Sequence, residues 1–125
     1  MIENPDAYFF DTYAYFEIVR GNPKYKKYED SIAVTTIFNL AELNYGLKKE
    51  ISKELADDIT DRYADHVMDV HNEIIKEAMD LKHRNKNLSI PDAVGYTVAK
   101  KLNIKFLTGD DDFKDFDNVE FVRKD

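Results

Sequence analysis

The chain has 125 residues, of which 43% are hydrophobic, carries a formal charge of −7 and has no cysteine. This length suits one domain, read as spanning residues 1–125, with a real core; disulfides, thiolate zinc sites and cysteine nucleophiles are excluded. No apolar stretch approaches the roughly 20 residues of a membrane span, and the start, with Glu3 and Asp6 and no basic run, is not read as a signal peptide, so a cytoplasmic protein without membrane contact is expected.

Residues 7–10 form a short apolar run suited to a buried central strand, and 12–19 continue as a helix that Gly21-Asn22-Pro23 stops. Residues 31–35, with Ile32, Ala33 and Val34, read as a second strand. Thr36 opens a helix to about Glu50 whose apolar side is assigned to Ile37, Leu40, Ala41, Leu43 and Leu47. Within it, Gly46 costs about 1 kcal/mol of helix stability against Ala and signals a backbone packed close to a neighbour. A mostly charged helix from Ser52 to about Asp65 belongs on the surface or at a partner interface. Val67-Met68-Asp69-Val70 has no decisive pattern and is compatible with a short extended segment. A helix over 71–84 follows, with Ile74, Ile75, Ala78 and Leu81 at helical spacing. After Asn85-Lys86-Asn87, Ser89 reads as an N-cap, with Pro91 in the first turn and Asp92 near the third helical position. That helix runs to Leu102 with Val94, Val98 and Leu102 facing inward. A strand at 104–108, an acidic turn at 109–112 and a strand at 118–122 complete the chain. Alternation of strands and helices implies α/β architecture: a three-layer α/β/α sandwich around a mostly parallel sheet.

Four carboxylates stand where apolar runs give way to helix or turn: Asp11, Glu42, Asp92 and Asp110. Asp11 and Asp110 end expected parallel strands, where open α/β sheets bind ligands. Two of the four have an equally good structural reading, Asp11 as an N-cap and Asp92 as a complement to its helix dipole. Glu42 lies on a largely apolar helix, where a charge needs a partner. In the run Asp110-Asp111-Asp112, Gly109 frees the backbone beside Asp110 and makes it the best ligand candidate; Asp112 is second, and Asp111 should point away. Four like charges together are unfavourable unless some are protonated or a divalent cation neutralises them. Hard oxygen donors at separate element ends suit Mg²⁺ or Mn²⁺. The set therefore reads as a metal-dependent phosphoryl-transfer site.

The acidic balance argues against a protein that coats nucleic acid through bulk positive charge. Basic residues are nevertheless grouped: Lys24, Lys26 and Lys27; Lys48 and Lys49; Lys82, His83, Arg84 and Lys86; Lys100, Lys101 and Lys105. Each group is compatible with a solvated helix end or with a phosphate contact.

Three stretches carry a family resemblance: Phe9-Phe10-Asp11-Thr12; Asn39-Leu40-Ala41-Glu42-Leu43-Asn44-Tyr45-Gly46; and Pro91-Asp92-Ala93 through Ala99, followed by Leu107-Thr108-Gly109-Asp110-Asp111-Asp112-Phe113. In order and spacing they resemble PIN-domain ribonucleases, and the compact chain is similar to the VapC toxins of type II toxin–antitoxin pairs. The resemblance implies a single PIN-like nuclease domain with Asp11, Glu42, Asp92 and Asp110 as catalytic and metal-binding residues. It further implies Asp112 as an auxiliary acid and Thr12 and Thr108 as hydroxyls that orient the site. Mg²⁺- or Mn²⁺-dependent cleavage of RNA, a homodimer and a small VapB-like antitoxin follow from the same resemblance. Pro91 directly before Asp92 departs from the family's usual small or apolar residue there.

Other classes fit less well. A haloacid-dehalogenase-type phosphatase needs an acid two residues after its nucleophile, where Tyr13 stands, and an EF-hand at 110–121 lacks its glycine and final glutamate. A receiver domain needs its acceptor at the end of a middle strand, but 31–35 is followed by Thr36. No phosphate loop, serine elbow or paired-histidine motif is present, and His66, His71 and His83 read as surface residues. Two alternatives stay open: a PIN-type nuclease of RNA processing without an antitoxin, and a non-enzymatic interaction module that uses aromatics such as Tyr13, Tyr15, Phe16, Tyr25 and Tyr28.

Overall fold

The computed structural model describes residues 6–125; Glu3, used above in reading the start of the chain, lies outside them. Strand β1 (Ala7–Phe10) is the hub of the sheet. It pairs with β2 (Ile32–Val34) on one side and β3 (Lys105–Thr108) on the other, and β4 (Val119–Phe121) pairs with β3. The order is β2-β1-β3-β4, and every pairing is parallel. Parallel neighbours need crossover connections, which helices supply. Helix α1 (Thr12–Val19) and a 3₁₀ segment, Pro23–Asp30, lead from β1 to β2. Between β2 and β3 lie α2 (Ile37–Glu50), α3 (Lys53–Tyr63), α4 (Asn72–Arg84) and α5 (Ile90–Leu102). A 3₁₀ turn, Asp111–Phe113, precedes β4.

Side chains alternate across a strand, so sequence neighbours serve different layers. Phe9 and Phe106, paired across β1 and β3 with ring centroids 5.6 Å apart, belong to the core under α4 and α5. Phe10 and Leu107 face the other way, into a core with Ala14 and Tyr15 of α1, Leu43 and Leu47 of α2, and Ala56 and Ile59 of α3. Two apolar cores on one sheet give the three-layer α/β/α sandwich. Helix α5 lies directly on the sheet: a Cβ on Gly95 would fall 2.7 Å from the Phe9 ring.

Several expectations shift. Strand β2 is shorter than 31–35, because Thr35 leaves the ladder to bridge Val67 in parallel fashion, which gives the ambiguous 67–70 stretch its extended role. On α2 the buried positions are Asn39, Leu43 and Leu47, whereas Ile37 and Ala41, expected inside, are exposed. Leu102, also expected inward, is 43% exposed, because the chain turns at the left-handed Asn103 and re-enters the core with Ile104 and Phe106. Residues 23–30, read above as no element, form a 3₁₀ segment that buries Tyr25 and Tyr28. Those two and Tyr15 are core; Tyr13 and Phe16 are half-buried. His66 is not a free surface residue but bonds the Tyr15 hydroxyl through Nδ1 at 2.8 Å. The charged helix α3 lies on the surface and packs Ala56 and Ile59 inward. Among the described residues no helix is long and apolar enough to cross a membrane.

Candidate active site

Asp11 sits at the carboxyl end of β1 and begins α1. Its Oδ1 accepts the Thr12 amide at 2.9 Å and its Oδ2 accepts the Thr108 hydroxyl at 2.7 Å. The capping reading and the ligand reading thus describe the same carboxylate. The Thr108 Oγ1 also accepts the Asp110 amide at 3.1 Å, so one buried hydroxyl ties the end of β3 to Asp11. Asp110 in turn accepts the Asp112 amide at 2.9 Å and caps the 3₁₀ turn. Asp112 is exposed and does not line the cleft described below; what it offers Asp110 is its backbone N–H. Asp111 points away and pairs with Arg123 at 3.1 Å.

Helix α2 brings in a polar edge. Asn39, fully buried, donates Nδ2–H to the Thr12 hydroxyl at 3.2 Å and accepts the Thr36 hydroxyl at 2.7 Å on Oδ1. Asn39 and Thr36 were missed as site residues in the sequence. The available signal was an amide in the middle of an apolar turn, the same reasoning that singled out Glu42 three residues on. Glu42 is half-buried and follows on that edge, as do Gly46 and Lys49 at helical spacing. A Cβ on Gly46 would lie 2.3 Å from Cζ of Phe16, so the glycine allows α1 and α2 their close approach. Asp92 enters from α5, whose first turn forms a capping box: the Ser89 hydroxyl accepts the Asp92 amide at 3.1 Å, and the Asp92 carboxylate accepts the Ser89 amide at 3.0 Å.

These elements line one cleft of about 800 Å³. Asp11, Glu42, Asp92 and Asp110 all face it, together with Thr12, Tyr13, Phe16, Tyr45, Gly46, Lys49, Glu50 and Ser89. A separate depression of about 620 Å³ beside α4 and α5, lined by Arg84, Tyr96, Lys100 and Asp117 among others, contains none of the four. The carboxylates are close enough to oppose each other's ionisation. Burial first, then the charge on Asp92, raises the Asp11 carboxyl well above its usual range, while hydrogen bonds from Thr108 and Thr12 pull it back. Burial also raises Asp92, to about 6, against the lowering effect of its Ser89 bonds and with further repulsion from Asp110 and Glu42.

The donor chemistry fits a hard divalent cation: an all-oxygen set whose charges repel one another. Among the described residues, however, no three acidic or histidine side chains converge to enclose an ion by themselves. That arrangement suits an ion held by one or two carboxylates that keeps several waters, the habit of Mg²⁺.

The family model of the PIN domain matches residues 8–119. None of the curated protein sequences matches the chain. Among solved structures, a toxin–antitoxin complex from Klebsiella pneumoniae has a similar chain at 19% identity, with a TM-score of 0.71, covering 94% of this chain and 97% of that one. VapC20 of Mycobacterium tuberculosis, described as a sarcin–ricin-loop-cleaving toxin, superposes with a TM-score of 0.75 at 21% identity, covering 93% and 98%. The Rickettsia felis VapBC2 complex, solved bound to a DNA fragment from its promoter, gives 0.68 at 17% identity, covering 95% and 99%. At these identities the structural likeness speaks for the fold, and the family match spans nearly the whole chain. The chain belongs to the PIN domain family.

Proposed function

We propose that this protein is a metal-dependent endoribonuclease that acts as the toxin of a toxin–antitoxin pair. The observation that carries the reading is the placement of Asp11, Glu42, Asp92 and Asp110, from four different elements, in one cleft at the carboxyl edge of a parallel sheet. Asp11, Glu42, Asp92 and Asp110, one or two of them directly and the others through its waters, would hold Mg²⁺ or Mn²⁺, which when bound supplies positive charge to a phosphodiester and acidifies a bound water. Thr108 and Thr12 fix the orientation of Asp11, and Ser89 fixes that of Asp92. The cleft has no cysteine, and its serine, Ser89, is engaged as a helix cap, so hydrolysis without a covalent enzyme intermediate is favoured.

RNA as substrate and an antitoxin as partner are supported by the names of structurally similar proteins: one cleaves the sarcin–ricin loop, and others are toxin–antitoxin complexes. An acidic protein of charge −7 is complementary to a small partner with a basic tail. A homodimer and a cytoplasmic location belong to the same reading. Unpaired RNA is the expected target, because the deep groove of duplex RNA is closed to side chains.

The test is cleavage of single-stranded and hairpin RNA with Mg²⁺ or Mn²⁺ and in excess EDTA, using the wild type and Asp92→Asn. Cleavage should vanish in EDTA and fall by orders of magnitude in the variant, which keeps its fold by circular dichroism because Asn can still accept the Ser89 amide. Cleavage that persists in EDTA, or that is equally fast in Asp92→Asn, refutes the mechanism.

A further inference from the structure

The cleft that holds four carboxylates must also hold an anionic strand, and most of its lining cannot. Of the charged residues facing it among the described residues, Asp11, Glu42, Glu50, Asp92 and Asp110 are acidic and only Lys49 is basic. Glu50 is already matched by Arg20, whose Nη2 lies 2.6 Å from its carboxylate. Lys49 has no ion-pair partner among the described residues, although its neighbour Lys48 is paired with Asp57 at 3.1 Å. Instead, the Lys49 ammonium rests 4.5 Å from the centroid of Tyr45, one turn back on α2. Tyr45 is 65% exposed and lines the same cleft as the carboxylates. Its hydroxyl makes no hydrogen bond among the described residues. A large aromatic kept in water beside a cation without an ion-pair partner among the described residues, both lining the cleft of the carboxylates, packs against no core and adds at most a small helix-surface contact to the fold.

We propose that Tyr45 and Lys49 form the subsite that seats one unpaired nucleotide of the substrate next to the carboxylates. Tyr45 stacks the base, and Lys49 takes the adjoining phosphate. Stacking on an aromatic side chain tolerates any base and is the usual device for gripping single strands. The lysine's flexible four-carbon stem lets its charge move from the ring to a phosphate while α2 stays fixed. The helix also sets the distance: Glu42, three residues before Tyr45 and seven before Lys49, is on the same side of α2, so a nucleotide seated on the pair places its phosphodiester at the acidic edge. This inference rests on the ribonuclease reading and adds to it how the acidic cleft grips a strand.

The test separates the two. The probe is a short single-stranded RNA carrying one 2-aminopurine, with binding followed by fluorescence in EDTA and cleavage followed in Mg²⁺. Wild type should quench the 2-aminopurine on binding. Tyr45→Ala should abolish the quenching and weaken binding by roughly 5- to 150-fold, whereas Tyr45→Phe retains both. In cleavage the loss should fall on KM rather than kcat. Lys49→Ala should reduce the slope of log affinity against log salt by about 0.7, one single-strand phosphate contact. An abasic site at the probe position should weaken wild-type binding but not that of Tyr45→Ala. A protein that cuts RNA with KM and quenching indifferent to Tyr45 and Lys49 overturns the subsite alone. So does a Tyr45→Ala variant whose only change is its oligomeric mass, which would assign the exposed Ile37–Ala41–Tyr45 side of α2 to a protein contact. A wild type that stacks the base on Tyr45 yet cuts no RNA supports the subsite and overturns the nuclease reading.

Discussion

Asp92 is subject to two opposing demands. Its carboxylate completes the capping box of α5, which favours the charged form, while burial and the neighbouring Asp110 and Glu42 oppose that charge. Burial wins, with repulsion adding to it, and the carboxyl is pushed up to about 6 from 3.8. The folded state therefore binds this proton more tightly than the unfolded chain. Between about pH 4 and 6 the native protein carries more protons, so its stability falls as pH rises through that window and stays lower above it. A rise from 3.8 to about 6 corresponds to roughly 3 kcal/mol at most. In EDTA, Asp92→Asn should accordingly be more stable than wild type at about pH 7.5, by up to roughly that amount, with the gap closing towards pH 4. Urea denaturation at both pH values measures it; a gap that does not depend on pH contradicts a carboxyl raised by burial and repulsion. Asn39 supports the opposite conclusion for a neutral group, since it is satisfied on both ends by Thr12 and Thr36. Asn39→Ala leaves two buried hydroxyls short of a partner and should cost about 1–3 kcal/mol. It should also lower cleavage, because Thr12 lines the cleft. Leu in place of Asn39 would separate lost volume from lost bonding.

At the scale of elements, the close approaches are set by glycines. Gly109 was read in the sequence as a source of backbone freedom beside Asp110. The reason is different: a Cβ there would lie 2.2 Å from the carbonyl oxygen of Val122 and 2.4 Å from the Tyr13 ring. Backbone cannot yield as a side chain does, so Gly109→Ala should destabilise the protein by about 1–3 kcal/mol or more, measured by thermal or urea unfolding. Gly46→Ala meets only the Phe16 ring, which is half-buried, and gains helix propensity. It should change stability less than Gly109→Ala while shifting Phe16 into the cleft and reducing RNA affinity. Several elements were legible because α2, α3 and α5 begin with Thr or Ser caps and acids follow closely on β1 and β3. The phase of α2 was not. Its buried stripe runs through Asn39, Leu43 and Leu47, and counting only apolar residues rotates the helix towards Ile37 and Ala41. The segment Pro23–Asp30 escaped notice for a similar reason: its charged residues outnumber the two tyrosines, whose spacing of three is the 3₁₀ period.

For the whole molecule, the site and the fold draw on the same free energy. The carboxylates that face the cleft are held by the first turns of α1 and α5, by α2 and by the ends of β1 and β3, so their repulsion acts against the packing of the layers that carry them. The four acids were legible one by one, Asp11, Asp92 and Asp110 from their positions at element ends and Glu42 as a charge on a largely apolar helix. Their common cleft, and the pair Tyr45 and Lys49 on its rim, depend on the packing of α2 against α1 and α5, which no local pattern encodes. A cation that binds only the folded protein adds stability by mass action, about 2.7 kcal/mol when its concentration is about 100 times its dissociation constant. Mg²⁺ or Mn²⁺ should therefore raise the melting temperature by several degrees near neutral pH. Protons compete for the same oxygens: Asp92 titrates at about 6 and Asp11 is raised as well, so the ion must displace protons as the pH falls through that range. The metal-dependent rise should shrink below about pH 6 and be lost near pH 4. Asp11→Asn and Asp92→Asn should each reduce it at neutral pH, even though Asp92→Asn is the more stable protein in EDTA. Calorimetry with and without the ion, at both pH values, reads all of these together. A metal-dependent rise that is the same in both variants as in wild type places the ion elsewhere on the molecule.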